Sequence, residues 1–209
     1  MVSALALSLI LKTFFFQSFW IPSGSMEPTL QLNDRILVTK WRPEPLDLRR
    51  GDIVVFKDTG GWLPPVDTSQ DTPLETAGKT VLTFTGLLPE DAGEHLVKRV
   101  VGLPGETVEC CDDQGRILVD GEPLDETYLV DGIAPSDTDF GPVTVPDGYI
   151  WVMGDNRPHS ADSRAHQGNR GGGSVPISSI VGTAFATVWP LDHFHGIGNP
   201  YDDPDTVED

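Results

Sequence analysis

Short runs of apolar, β-branched and aromatic residues recur along this chain, each closed by Gly, Pro or Asp. The pattern predicts strands over residues 36–39, 53–56, 96–101, 107–110, 117–119, 149–153 and 183–189. Asp120-Gly121, set between the run at 117–119 and Leu124, signals a tight hairpin. Residues 176–180 read as one short helix, with Ser174 as its cap and Gly182 beyond its end. Residues 57–95 break the rhythm. Gly60-Gly61, Pro64-Pro65 and scattered acids predict a loop-like insertion there, with one helix near residues 72–82.

The one long apolar stretch is residues 2–21. As a helix it would run about 30 Å, close to one bilayer core. Trp20 would suit an interfacial position. Lys12 falls mid-span, where a charge costs at least about 2.5 kcal/mol. A cleaved signal peptide fits less well, because no base precedes Lys12 and Ser18-Phe19-Trp20 is too bulky for a cleavage site. A buried core helix is the other alternative. The expectation is a membrane anchor helix over 1–21 that forms part of a span, a β-rich domain over 22–200 interrupted by the 57–95 insertion, and an acidic disordered tail over 201–209.

Charge sharpens this division. The 209 residues carry a net charge of −18. Residues 1–50 hold six bases and four acids, and the remainder holds eight bases and 28 acids. So acidic a surface repels phosphate backbones, which excludes nucleic acid as a general partner. The 22 glycines and 18 prolines disfavour long helices. The two cysteines, Cys110 and Cys111, are adjacent, so no C-x-x-C metal or redox motif exists. Adjacent cysteines rarely bridge, and a structural role is expected of them, as a vicinal bridge if oxidised. His193 and His195 could pair on a metal, but no matching acid or cysteine cluster accompanies them. No metal or cofactor is expected.

Three polar segments could carry chemistry. In Ile21-Pro22-Ser23-Gly24-Ser25-Met26-Glu27-Pro28-Thr29-Leu30, two serines flank a glycine between stiffening prolines. A serine so held could be a nucleophile, or the segment could be an ordinary turn. No G-x-S-x-G elbow and no S-x-x-K motif is present to supply the usual partners. In Leu96-Val97-Lys98-Arg99-Val100-Val101, strand alternation puts Lys98 on the face of Leu96 and Val100 and turns Arg99 the other way. Desolvation there would lower the lysine pKa and make it a base, unless the side chain snorkels to solvent. The third segment, 154–164, follows the strand at 149–153 and holds two Asp–Arg combinations, an Asn and two serines. It could build a site or a structural network.

Together these segments resemble the bacterial type I signal peptidase family. Ser23-Gly24-Ser25-Met26-x-Pro28-Thr29-Leu30 is similar to its nucleophile box, and Gly51-Asp52-Ile53-Val54-Val55-Phe56 to the next. Lys98-Arg99-Val100-Val101-Gly102-Leu103-Pro104-Gly105-Glu106 is similar to its lysine box, and Gly154-Asp155-Asn156-Arg157-x-x-Ser160-Ala161-Asp162-Ser163-Arg164 to its last. The resemblance covers residues 10–190 and implies a mainly β, antiparallel-sheet catalytic domain with few short helices behind an N-terminal transmembrane helix. It implies an endopeptidase that removes signal peptides from exported preproteins after a small-x-small motif. Ser25 is then the nucleophile and Lys98 the general base. Ser160 orients the amine, and Ser23 with the Ser25 N–H forms the oxyanion hole. Asp162 and Arg164 form a supporting ion pair, and Ile21, Pro22, Met26, Leu30, Leu96 and Val97 line the substrate pocket. The implied partners are preproteins and the lipid bilayer, with the catalytic domain on the extracytoplasmic side of a single span. Two rivals are a self-cleaving repressor-type Ser–Lys protease and a membrane-tethered β-domain without catalysis.

Overall fold

The computed structural model of the protein describes residues 15–42, 47–63 and 95–202. In chain order the strands are β1 (Phe16–Trp20), β2 (Arg35–Thr39), β3 (Ile53–Lys57), β4 (His95–Gly102), β5 (Thr107–Cys110) and β6 (Ile117–Val119). They continue with β7 (Glu122–Pro123), β8 (Phe140–Thr144), β9 (Tyr149–Met153), β10 (Val175–Pro176), β11 (Ile180–Trp189) and β12 (His195–Gly196). The helices described are 3-10 turns of three or four residues.

Two antiparallel sheets result. The larger runs β1-β2-β11-β3-β4-β9-β10, with β12 added on β11, and the smaller runs β7-β6-β5-β8. Strand β3 is buried along Ile53–Phe56 because both its faces are covered. Ile53 and Val55 join Phe19, Met26, Leu30, Ile36 and Val38 on one side, while Val54 and Phe56 join Val100, Ile150 and Val152 on the other. A third cluster, built on Val108, Ile117, Phe140 and Trp151, fastens the small sheet to the large one. The β6–β7 turn follows the hairpin rule: Asp120 and Gly121 both have positive φ, 52° and 81°, as the turn type needs.

The anchor helix expected over 1–21 is corrected where it can be followed. Phe16–Trp20 is a strand, paired residue for residue with Thr39–Arg35 of β2. Its backbone hydrogen bonds go to a neighbouring strand, and bulky Phe and Trp side chains fit the pleat. A short apolar run reads equally as helix or strand until its pairing partner is known. Residues 1–14 lie outside the described residues, as do the helix expected at 72–82 and residues 203–209 of the expected tail. Among the described residues no helix is long and apolar enough to cross a membrane. The short helix expected over 176–180 is a single 3-10 turn, Ile177–Ser179, with Pro176 rather than Ser174 at its N-cap. Cys110 and Cys111 are joined by a disulfide, the vicinal bridge named above for the oxidised state, although neighbouring cysteines rarely bridge.

Candidate active site

The first polar segment leaves β1 and returns to β2 as a loop whose centre is the 3-10 turn Gly24–Met26. Met26 and Leu30 are buried in the core and pin the loop from below. Its other fastenings reach across the molecule to the segment after β9. The Asn156 N–H donates to the Ser25 carbonyl at 3.1 Å. The Asn156 Nδ2 donates to the Gly24 carbonyl at 2.9 Å. Thr29 Oγ1 donates to Asp155 Oδ2 at 2.6 Å.

Strand β4 supplies the partner groups. Lys98 and Arg99 are both almost fully buried and leave the strand in opposite directions. Arg99 meets Asp155 through two bonds, Nε to Oδ1 at 2.8 Å and Nη2 to Oδ2 at 2.6 Å. Its third nitrogen donates to the Gly51 carbonyl at 2.8 Å. One buried ion pair thus ties together the four segments around Thr29, Gly51, Arg99 and Asp155. Burial opposes the charge on Arg99, yet Asp155 overcomes it and raises the guanidinium pKa. Arg157 makes a second buried pair, with Glu126, and donates to the Gly154 carbonyl at 3.0 Å.

On the opposite side Lys98 Nζ lies 2.8 Å from Ser25 Oγ, to which it donates, and donates also to the Val97 carbonyl at 3.0 Å. Burial lowers the amine pKa from 10.5 to about 8, although Asp162 and Asp155 pull it upward. A neutral amine is therefore within reach near physiological pH, and it already touches a serine hydroxyl. Ser23 Oγ donates to Ser25 Oγ at 3.3 Å from an exposed position.

Asp162 and Arg164 form an ion pair at 2.9 Å, with the Asp162 side chain fully buried. Burial acts to raise the Asp162 pKa, but Arg164 and the Gly154 N–H outweigh it and hold the carboxyl below its usual value. Ser160 Oγ is buried close to this carboxylate and helps hold it low, yet among the described residues it forms no bond of hydrogen-bond geometry. The expected Ser160–Lys98 bond is therefore not made, and the Lys98 amine bonds Ser25 and Val97 instead. Gly154 shows how near Ser160 stands to Ser25. A Cβ at Gly154 would lie 2.3 Å from Ser160 Oγ and 2.5 Å from the Ser25 carbonyl oxygen. Only glycine allows the two serines to close over that strand end.

Ser25 and Lys98 open into a cleft of about 110 Å³. Ile21, Pro22, Met26, Leu96 and Val97 line it as expected, and Ser23 does too. Leu30 does not: it is wholly buried in the core beneath the loop. The resemblance implies a pocket role for Leu30 from its place in a motif, and a motif does not separate a cleft wall from the core behind it. Phe19, Trp20, Leu63 and His95 also line the cleft and were missed. Phe19 and His95 flank each other, ring centres 5.2 Å apart, and strand pairing is what brings them there. A larger cavity of about 270 Å³ lies between Lys57, Trp62, Tyr149 and Ser174. Among the described residues the Ser174 hydroxyl in it has no hydrogen-bond partner, so none of them stands as a base to activate it.

Among the described residues one group of metal-ligand type occurs, Cys110, Cys111 and Asp139. Its two sulfurs are engaged with each other in the disulfide.

Comparison with known proteins points to one family. The family model described as "Signal peptidase, peptidase S26" matches residues 1–189. A protein of Mycobacterium leprae named "Probable signal peptidase I" is 37% identical over 95% of this chain and 77% of its own length. "Signal peptidase I" of Mycobacterium tuberculosis H37Rv is 38% identical over 90% of this chain and 70% of its own length. A crystal structure of a signal peptidase I from Enterococcus faecalis V583 is 27% identical, covering 65% of this chain and 95% of that one. Its TM-score is 0.39.

Proposed function

This chain belongs to the signal peptidase family, peptidase S26, and we propose that Ser25 is its nucleophile and Lys98 its general base. It is a serine endopeptidase that removes signal peptides from preproteins. The observation that carries the residue assignment is the 2.8 Å contact between Lys98 Nζ and Ser25 Oγ, beside an amine whose pKa burial lowers to about 8.

The reaction follows from that contact. In the neutral state the amine presents a lone pair, and the Ser25 hydroxyl donates to it. As Oγ attacks the scissile carbonyl, the proton passes to Nζ. The Ser25 N–H sits in the first turn of the 3-10 helix, where amides lack intrahelical partners, and with the Ser23 hydroxyl it receives the developing oxyanion. The Lys98 ammonium then protonates the leaving amine, and water attacks the acyl-enzyme with the amine again as base. Asp162, held ionised by Arg164, favours the ammonium formed in each half-reaction.

The substrate binds extended between residues 21–23 and β4, with main-chain hydrogen bonds as in strand addition. The cleft is far smaller than the roughly 300–1,000 Å³ of pockets that hold drug-sized ligands, so it selects small side chains on either side of the x in small-x-small. A bilayer contact is proposed along the β1–β2–β11 edge. Phe16, Trp41, Trp189, Leu191 and Phe194 are large exposed apolar residues there, and Arg35 lies over the Trp20 ring at 5.5 Å. In this reading residues 1–14 anchor the domain on the extracytoplasmic face.

The assignment is tested by incubating detergent-solubilised protein with a preprotein carrying Ala-x-Ala. Wild type is expected to cut after the second Ala, and Ser25→Ala and Lys98→Met each to lose cleavage while keeping a cooperative unfolding transition. Substantial cleavage by a folded Lys98→Met variant refutes the pair.

A further inference from the structure

Strand β3 ends at Lys57, paired with His95 at the start of β4, and His95 lines the catalytic cleft. The chain that leaves β3 therefore emerges beside the substrate. Over residues 58–63 it is held tightly for a loop. Asp58 Oδ1 accepts the N–H groups of Gly60 and Trp62, each at 3.0 Å. Asp58 Oδ2 accepts the Leu63 N–H at 2.7 Å. The Trp62 indole stacks on His166, ring centres 4.2 Å apart and planes 5° from parallel, and meets the Phe56 ring edge-on. His166 is itself fixed by a 2.7 Å bond between its Nδ1 and the Asp162 carbonyl. Asn169 Nδ2 donates to the Gly60 carbonyl at 3.0 Å. These fastenings end on Leu63, whose side chain is half-buried in the lining of the cleft beside Trp20, Ile21 and Val97.

We propose that Leu63 is a specificity-determining residue of this peptidase, and that Asp58, Trp62 and His166 are positioning residues that hold it against the substrate. The proposal rests on the Ser25–Lys98 reading of the cleft. Three features separate Leu63 from a residue that merely covers the core. Among the described residues it joins none of the three hydrophobic clusters. It comes from outside the strands and the nucleophile loop, so its position is set by the loop clamp and not by the sheet. It also borders a cavity of only about 110 Å³, where losing a few methyl or methylene groups changes which side chain fits. One methylene in such a pocket discriminates by roughly 10–200-fold.

The test compares kcat/KM for preproteins in which the residue at −1 or −3 from the cut is Ala, Val or Leu. Leu63→Ala is expected to raise the Leu-to-Ala ratio at one of these positions by about ten-fold or more. Leu63→Val should shift it in the same direction by less and puts the fold at less risk. Asp58→Ala, which releases the loop and leaves Leu63 in place, should also relax the ratio, and more through KM than through kcat. Ratios unchanged within two-fold in Leu63→Ala and Leu63→Val, with wild-type thermal transitions, overturn the proposal for Leu63 alone. A wild type that cleaves none of the series overturns it together with the Ser25–Lys98 reading.

Discussion

Replacing Lys98 by Met should make the protein more stable, and the gain should depend on pH in a way that isolates the buried amine. Lys98 is 3% exposed and its pKa falls from 10.5 to about 8 because burial penalises the charge. Each pKa unit is worth about 1.36 kcal/mol, so the protonated amine costs the fold roughly 3 kcal/mol. The folded state binds this proton less tightly than the unfolded state. The cost is therefore complete below pH 8, and stability is regained as pH rises from about 8 towards 10.5. Lys98→Met removes the titration and keeps most of the aliphatic volume. Urea denaturation of both proteins from pH 6 to pH 10 measures the difference. The variant's advantage should shrink by roughly 2–3 kcal/mol between pH 7 and pH 10. A difference that stays flat across that range refutes a depressed Lys98 pKa, and with it the argument that the lysine is poised as a base.

Two further substitutions probe the frame around the pair. Asp155→Ala strands the Arg99 guanidinium in the interior and removes the acceptor of Thr29, so it should cost about 3–5 kcal/mol in chemical denaturation. A loss below about 1 kcal/mol contradicts the view that this ion pair joins the four segments. Gly154→Ala places a methyl 2.5 Å from the Ser25 carbonyl oxygen, a backbone atom that cannot swing aside. Its kcat for preprotein cleavage should fall at least ten-fold, while wild-type kinetics would show that the nucleophile loop is not seated on Gly154.

Strand positions were legible where alternation and punctuation agreed. β5, β6 and β9 match the expected residues at both ends. β8 was missed because Gly141-Pro142 interrupts it, and proline within a run argues against a strand. β1 was missed because its Phe and Trp residues continue an apolar stretch that is long enough for a span. Each candidate segment was visible by itself, Ser25 in its rigid setting and Lys98 on its apolar strand face, while the pairing of the two came only from the family resemblance. What joins them was not visible. Asn156 on the Ser25 and Gly24 carbonyls and Asp155 on Arg99 and Thr29 are contacts between residues 56 to 132 positions apart, and a single sequence carries no trace of such pairing. Leu63 was hidden for the same reason, since nothing local shows that a loop after β3 returns to the cleft.

The central claim is that a neutral Lys98 activates Ser25. The pH dependence of kcat/KM for preprotein cleavage tests it most directly. The logarithm of the rate should climb with a slope near one through the acid range, bend near pH 8 and level off above it. A profile with no acid limb between pH 5 and pH 9 would contradict the account.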